Sequence, residues 1–290
     1  MDNKTENIIR SIPLWKNGIE ISKIEGGITN QNFLVKEKSK KFFVRLGRDI
    51  PEHNVSRSNE LIANIAASEV NISPKVIYNS DGVLVLKYIE GITLSSEKVI
   101  DKLTSIIPLL KKIHYEIPKK LYGQSIIFWV FHVVKNYAKF LKDHKSSYIK
   151  LLPDLLAQGE KLEINSSPYE IVFSHNDLIP PNFLDDGDRL WIIDWEYAGF
   201  NSPLFDLGDL ASNSNFSENN EIYLLENYYE KKIDEKLLLQ FYCFKCAALL
   251  RETMWSMVSE LTSKIDFNYV NYTQENLAKF NDSMNKLSLK

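Results

Sequence analysis

Cysteine is nearly absent from this sequence, Cys243 and Cys246 being the only two. Lying three residues apart in a helical stretch, they share one helix face, which argues against a disulfide framework. With no histidine or further cysteine beside them they read as packing residues rather than metal ligands. Long apolar runs are missing too: no stretch approaches the ~18 consecutive apolar residues that a membrane span needs. Charge of one sign is also lacking. The 35 Lys and Arg nearly balance the 38 Asp and Glu, for a formal net charge of -3. Basic residues are scattered, so there is no footprint of a nucleic-acid binder, although polyphosphate can still bind locally. The opening MDNKTENIIR has no basic segment followed by an apolar one, and the expected location is cytoplasmic. Repeats, low-complexity segments and long flexible linkers are absent as well.

What is present suits a globule of two lobes: 290 residues, 44% hydrophobic and 25% charged. In the first 90 residues, short apolar runs at 19–24, 32–36 and 41–46 carry the aromatic and β-branched content of antiparallel strands. One helix interrupts them over 52–70, with Leu61, Ile62, Ile65 and Ala66 on one stripe and Pro74 beyond its end. Runs at 75–78 and 83–89 then flank the turn residues Asn79, Ser80, Asp81 and Gly82 as a hairpin. Beyond Gly91 the pattern predicts helices over 95–114, 125–144, 148–162, 203–213, 219–229, 235–263 and 272–287, with short strands at 170–174 and 190–193. The expected fold class is α+β, with an antiparallel β-sheet lobe over 1–90, a larger and mainly helical lobe over 91–290, and a hinge at 89–93.

The strongest chemical signal is Phe173-Ser-His-Asn-Asp-Leu-Ile-Pro-Pro-Asn-Phe-Leu184, where an apolar strand leads into His175, Asp177 and, five residues later, Asn182. A second strand follows in Leu190-Trp-Ile-Ile-Asp-Trp-Glu-Tyr-Ala-Gly199 and ends on Asp194. Phosphoryl transfer requires a carboxylate to orient the attacking hydroxyl and take its proton, with an amide and a second carboxylate to hold magnesium against the phosphates. Asp177, Asn182 and Asp194 fill these roles in the order and spacing of protein-kinase-like enzymes, which makes Asn182 and Asp194 the metal candidates. Each residue alone matches by chance in many proteins, and a lone Asp at a strand end is usually a cap. The compound pattern is much rarer.

A nucleotide grip is then expected from residues 1–90. Glu25-Gly-Gly-Ile-Thr-Asn-Gln-Asn32 falls between two strands, and Gly27, Thr29, Asn30 and Asn32 are its candidates for phosphate contact. Taken alone, Gly26 and Gly27 make an ordinary hairpin turn. Arg45, in Phe42-Phe-Val-Arg-Leu46, stands where kinases place a phosphate-binding lysine, and its fork suits phosphate. An isolated strand Arg is commonly a surface residue. Glu60 gives it a partner, lying mid-helix where it can pair with Arg45 as in the kinase Lys–Glu pair.

These motifs resemble the choline/ethanolamine kinase family, within the aminoglycoside-phosphotransferase-like group, and most of all its bacterial choline kinases. The resemblance runs through nearly the whole chain. It is carried by Gly-Gly-Ile-Thr-Asn-Gln-Asn-Phe33, Phe-Val-Arg-Leu46, Leu86-Lys-Tyr-Ile-Glu-Gly91, His175-Asn-Asp-Leu-Ile-Pro-Pro-Asn182, Asp194-Trp-Glu-Tyr197, Phe205-Asp-Leu207, Met254-Trp-Ser256 and Ile265-Asp-Phe-Asn-Tyr-Val-Asn-Tyr272. It implies ATP and Mg2+ as cofactors, Asp177 as base, Asn182 and Asp194 as metal ligands, and Arg45 as a phosphate contact. It further implies a hinge at 87–90, with Lys87, Tyr88 and Ile89, meeting adenine through backbone groups, and Asp206 as a structural carboxylate bonded to the catalytic loop backbone. Tyr197, Trp255 and Tyr272 match the family's aromatic cage for choline. That use is physically apt, since a trimethylammonium has no N–H to donate and is attracted by ring faces. Helix tryptophans are nevertheless most often packing residues.

One position departs from the resemblance. Some animal choline kinases carry a second tryptophan where this sequence has Glu252, a residue suited to an amine that favours a carboxylate, and Glu196 is a further candidate for negative charge near the amine or the metal. The expected partner is thus a small-molecule amino alcohol, choline first, with ethanolamine or thiamine as alternatives. An aminoglycoside is a more distant alternative, and the reading from a different class is a catalytically silent nucleotide-binding module. The sequence leaves the oligomeric state open.

Overall fold

A computed structural model describes residues 2–24 and 30–288. Five strands form the N-terminal sheet: β1 (Glu20–Ile24), β2 (Gln31–Glu37), β3 (Lys40–Leu46), β4 (Val76–Ser80) and β5 (Val83–Lys87). Their order is β1-β2-β3-β5-β4, and every neighbouring pair is antiparallel. A helix not expected from the sequence, α1 (Asn3–Arg10), precedes them, its first turn capped by Asp2, which accepts the Thr5 N–H at 2.7 Å. Ile9 and Ile12 pack with Phe33, Val35, Val44 and Val85 in a small core. Because strand side chains alternate, burial of Val44 in that core sends Arg45 to the opposite face, in register with Asn32 and Leu84. That face borders the cleft.

Between β3 and β4 runs α2 (Arg57–Glu69), which starts later than the expected helix over 52–70. Residues Pro51–His53 form a 3-10 turn, Ile50 bridges to Val55, and Asn54 adopts a left-handed φ of 58° that interrupts any helix there. Ala63, Ala66 and Ala67 of α2 belong to the larger core of the helical part, so this helix joins the two parts. Glu60, also on α2, faces back to the sheet.

The remainder contains β6 (Ile92–Thr93), α3 (Ser96–Asp101), α4 (Leu103–Tyr115), α5 (Val130–Asp143), α6 (Leu152–Asn165), β7 (Val172–Ser174), β8 (Phe183–Asp185), β9 (Leu190–Ile192) and β10 (Gly199–Asn201). These are followed by α7 (Pro203–Asn213), α8 (Glu218–Tyr229), α9 (Glu235–Thr262) and α10 (Tyr269–Ser288). Strands pair as β6-β8-β9 and as β7-β10. Buried on nearly every side from Gln240 to Ser259, α9 is the axis around which α5, α6, α7 and α10 pack. The fold is the α+β class expected, an antiparallel sheet followed by a mostly helical remainder.

Besides α2, and α6 which begins at Leu152 rather than at 148, two more expected helices differ. The 95–114 segment breaks at Lys102, where α3 ends and α4 begins. Residues 125–129 are extended rather than helical, because the Phe128 N–H donates to the Phe200 carbonyl at 2.9 Å and Ile127 bridges to Phe200. At Gly91, between the two parts, an added Cβ would stand 2.5 Å from the Asp185 carbonyl oxygen, so the chain can pass there only as glycine.

Candidate active site

Two loops meet in one cleft: residues 175–182, delivered by β7, and residues 193–197, delivered by β9. The first is fixed through its backbone. Asp206, in the first turn of α7, accepts the N–H groups of His175 and Asn176, each at 2.8 Å, and Asp209 accepts that of Leu178 at 2.6 Å. Asp206 also contacts His114 Nε2 at 3.1 Å. Asn176 holds a left-handed φ of 64° and ties the loops together, donating to the carbonyls of Tyr197 at 3.0 Å and Gly199 at 3.2 Å. His175 adds a second tie from Nε2 to the Ile193 carbonyl at 3.0 Å, with its ring edge-on to Trp195. Asp194 itself sits at φ 67°. Asn and Asp tolerate this region better than other residues, and such geometry persists only where the surroundings fix it.

The cleft has a volume of about 540 Å³. Asp177, Asn182 and Asp194 line it with Asn32, Arg45 and Glu60, while Lys87, Tyr88 and Ile89 line it at the junction. Glu196, Tyr197, Glu252, Trp255 and Tyr272 complete the wall. Asn30 stands behind this lining, donating to Glu196 at 2.8 Å and accepting from Arg57 at 2.5 Å. Gly27 and Thr29 lie outside the described residues.

On the sheet side, charge is compensated by charge. Arg45 Nη1 is 2.5 Å from Glu60 and 2.8 Å from Asp194, and Arg57 Nη1 is 2.7 Å from Glu60 and 3.1 Å from Glu196. Burial alone would raise the Asp194 carboxyl, but the Arg45 guanidinium prevails and holds it below its ordinary value. Glu196 moves the other way, pushed up by burial and by the nearby Asp194 charge. Burial likewise pushes Asp177 well above the usual carboxylate range, with Arg251 opposing, and a carboxylate so raised is a better proton acceptor near neutral pH.

Asn182 donates from Nδ2 to the Asp177 carbonyl at 2.8 Å and to its carboxylate at 3.2 Å, which leaves Oδ1 as the amide's remaining oxygen donor. With Asp194 it makes a hard-oxygen pair. Among the described residues no cluster of three His, Cys, Asp or Glu side chains could hold a metal. An amide and a carboxylate beside the Arg45 guanidinium suit magnesium, which binds through one or two protein oxygens while keeping waters and substrate phosphates.

Rings and two charges make up the opposite side. Trp255 Nε1 donates to the Tyr197 hydroxyl at 2.9 Å, the Tyr272 hydroxyl donates to Glu252 Oε1 at 2.7 Å, and the Trp255 and Tyr272 rings meet edge-on with centroids 6.5 Å apart. Four residues of the site escaped the sequence reading. Arg57 had a signal, standing three residues before Glu60 on one helix face. So did Arg251, a charge within the apolar run of α9, and Asp209, one turn after Asp206. His53 carried none; it packs 5.4 Å from the Trp255 ring and bonds Ser259 at 3.2 Å.

An antiparallel sheet, a mostly helical body and two loops that bring Asp177, Asn182 and Asp194 to one cleft make a protein-kinase-like fold. Its structural likeness extends to the choline kinase LicA of Streptococcus pneumoniae, with a TM-score of 0.78 and 25% identity over 97% of this chain and 100% of that one. The family model for choline/ethanolamine kinase matches residues 21–223, and the chain belongs to that family, whose enzymes phosphorylate an alcohol acceptor. Among its relatives, protein LicA of Haemophilus influenzae is 29% identical over 224 residues, which span 74% of this chain and 64% of that protein's length. The probable ethanolamine kinase A of Dictyostelium discoideum is 26% identical over 90% of this chain and 85% of its own.

Proposed function

We propose that this protein is an ATP- and magnesium-dependent kinase that transfers the γ-phosphoryl group to the hydroxyl of a small amino alcohol, with choline as acceptor. The reading rests on the convergence of Asp177, Asn182, Asp194 and Arg45 on one cleft beside Tyr197, Trp255 and Tyr272. In it, residues 1–90 grip the nucleotide, and residues 91–290 carry catalysis and acceptor binding. Asp177 orients the acceptor hydroxyl and takes its proton as the new O–P bond forms and the bond to ADP breaks. Asn182 Oδ1 and the Asp194 carboxylate hold the magnesium, which when bound offsets charge on the phosphates. Arg45, kept in place by Glu60, supports the phosphates from the sheet, and backbone groups of Lys87, Tyr88 and Ile89 meet the adenine. Gly27, Thr29, Asn30 and Asn32 belong to the loop that covers the phosphates. Dependence on ATP supports a cytoplasmic location, and the balanced charge of the chain supports a small-molecule partner rather than nucleic acid.

Ethanolamine is the second reading, favoured by one observation. Glu252 lines the cleft where a primary ammonium could donate to it, and Tyr272 already orients its carboxylate. The deciding experiment is ADP release with magnesium and ATP, supplied separately with choline, ethanolamine, thiamine and kanamycin, with Asp177→Asn as blank. The reading expects turnover with choline or ethanolamine and a fall of about 10³-fold or more in the variant. Turnover confined to thiamine or kanamycin overturns the acceptor, and ATP binding without turnover on any of them overturns the enzyme.

A further inference from the structure

The wall read above as a seat for the acceptor's cation already holds a cation. The Arg251 guanidinium carbon lies 4.3 Å from the centroid of the Tyr197 ring, with Phe128 beneath the same group at 5.7 Å. Only 2% exposed, Arg251 reaches Glu252 Oε2 at 2.9 Å and Asp177 Oδ1 at 3.5 Å through Nη1, while Nε and Nη2 are buried without a hydrogen-bond partner among the described residues. Tyr197 is fixed as well, its hydroxyl bonded to Trp255 and its ring set edge-on to Phe128. One ring face and one carboxylate oxygen of the acceptor wall are thus occupied from within.

We propose that Arg251 is a specificity-determining residue: a resident cation that takes the face of Tyr197 and so weakens the site for a quaternary ammonium relative to a primary amine. The proposal rests on the amino-alcohol kinase reading. Repulsion from Arg251 acts on any cationic acceptor alike. What differs is the set of groups left to attract it. A quaternary ammonium has no N–H and depends on ring faces, so it loses Tyr197. A primary ammonium donates hydrogen bonds and keeps Glu252 Oε1, which Tyr272 holds at 2.7 Å.

The test compares the ratio of kcat/KM for choline over ethanolamine in the parent, Arg251→Met, Tyr197→Leu and the double variant, each checked for folding by thermal melt. Arg251→Met should raise the ratio by about fivefold or more, the scale of one cation–π contact. Tyr197→Leu should leave it within about twofold in the parent, where the face is taken, and should erase the gain in the Arg251→Met background. An unchanged ratio in folded Arg251→Met, or a ratio that collapses in Tyr197→Leu alone, overturns the proposal. A second measurement needs neither variant nor turnover: calorimetric binding of tetramethylammonium and methylammonium to the parent. Tetramethylammonium should bind less than about tenfold tighter than methylammonium; an advantage of about tenfold or more, or no binding of either, rejects the proposal. Binding with the expected preference but no ADP release on either alcohol would remove the kinase reading alone.

Discussion

The two sides of the cleft solve the same problem, holding charge away from water, by different means. On the sheet side, Arg45 and Arg57 are interleaved with Glu60, Asp194 and Glu196, and three of the four bridges join different elements among β3, α2 and the loop after β9. On the α9 side Arg251 stands over an aromatic ring, with Glu252 and a half-buried Asp177 as charged neighbours. The difference teaches where each side can yield. A network of alternating charges fails when any member is removed, because a buried partner is left uncompensated. Ring faces tolerate exchange of one cation for another, so under the proposed function the aromatic side can be retuned for its acceptor while the charged side stays fixed.

The largest effect should come from breaking the network. Glu60→Ala leaves Arg45 with Asp194 and Arg57 with Glu196, and should cost roughly 3 kcal/mol in denaturant unfolding while raising the Michaelis constant for ATP about tenfold. The constant for the alcohol should hardly move. Unchanged ATP kinetics in a folded variant would show that the pair is idle, and an equal rise in both constants would show that the two sides are not separable.

A somewhat smaller effect is expected beneath the 175–182 loop. Asp209 accepts the Leu178 N–H next to Asp177, and burial pushes its carboxyl up to about 7 from an ordinary value of 3.8, with Arg251 opposing. The sign follows from linkage. A folded-state value above the unfolded one means that the native protein binds more protons between about pH 4 and pH 7, so the stability contributed is complete below that window and lost as pH rises through it. Asp209→Asn cannot titrate. Between pH 5 and pH 8 the parent should therefore lose roughly 2 kcal/mol more than the variant in urea unfolding. Parallel pH profiles would show that this carboxylate does not titrate there.

How much of this was legible beforehand depends on how local each feature is. Asp177, Asn182 and Asp194 sit in two short segments whose strand context and spacing can be read along the chain, and the structure brings all three to the cleft. Arg45 and Glu60 follow from strand alternation and a helix position. Arg251 touches Asp177 from a distant helix, and no spacing rule connects them; its only trace was a charge in an apolar run. The strands β6, β8 and β10 have two or three residues each, too few to display a period of two. The break between α3 and α4 and the extended 125–129 segment depend on what packs against them, which local propensity does not encode.

The junction gives the third contrast. At Gly91 the Asp185 carbonyl sits where a side chain would go, so Gly91→Ala must push β6 away from β8. An effect of about 1–2 kcal/mol on stability is expected, together with a rise in the ATP constant, because Gly91 lines the cleft next to Lys87, Tyr88 and Ile89. If only the alcohol constant moves, the adenine does not lie at this junction.

The smallest effect should appear within α9 itself, and it separates scaffold from site along one helix. Cys246 is fully buried toward the start of α9, with Sγ 3.1 Å from the Ser283 hydroxyl of α10, whereas Arg251 and Trp255 lie one to three turns further on. Burial pushes its thiol up to about 11, which keeps it protonated and inert. Cys246→Ala removes one buried atom and one weak contact, for a loss of about 1 kcal/mol in unfolding. Both Michaelis constants and the choline to ethanolamine ratio should stay as in the parent. A shifted ratio would mean that packing at this end of α9 reaches the acceptor wall, and the aromatic side would then be as tightly coupled to its surroundings as the charged one.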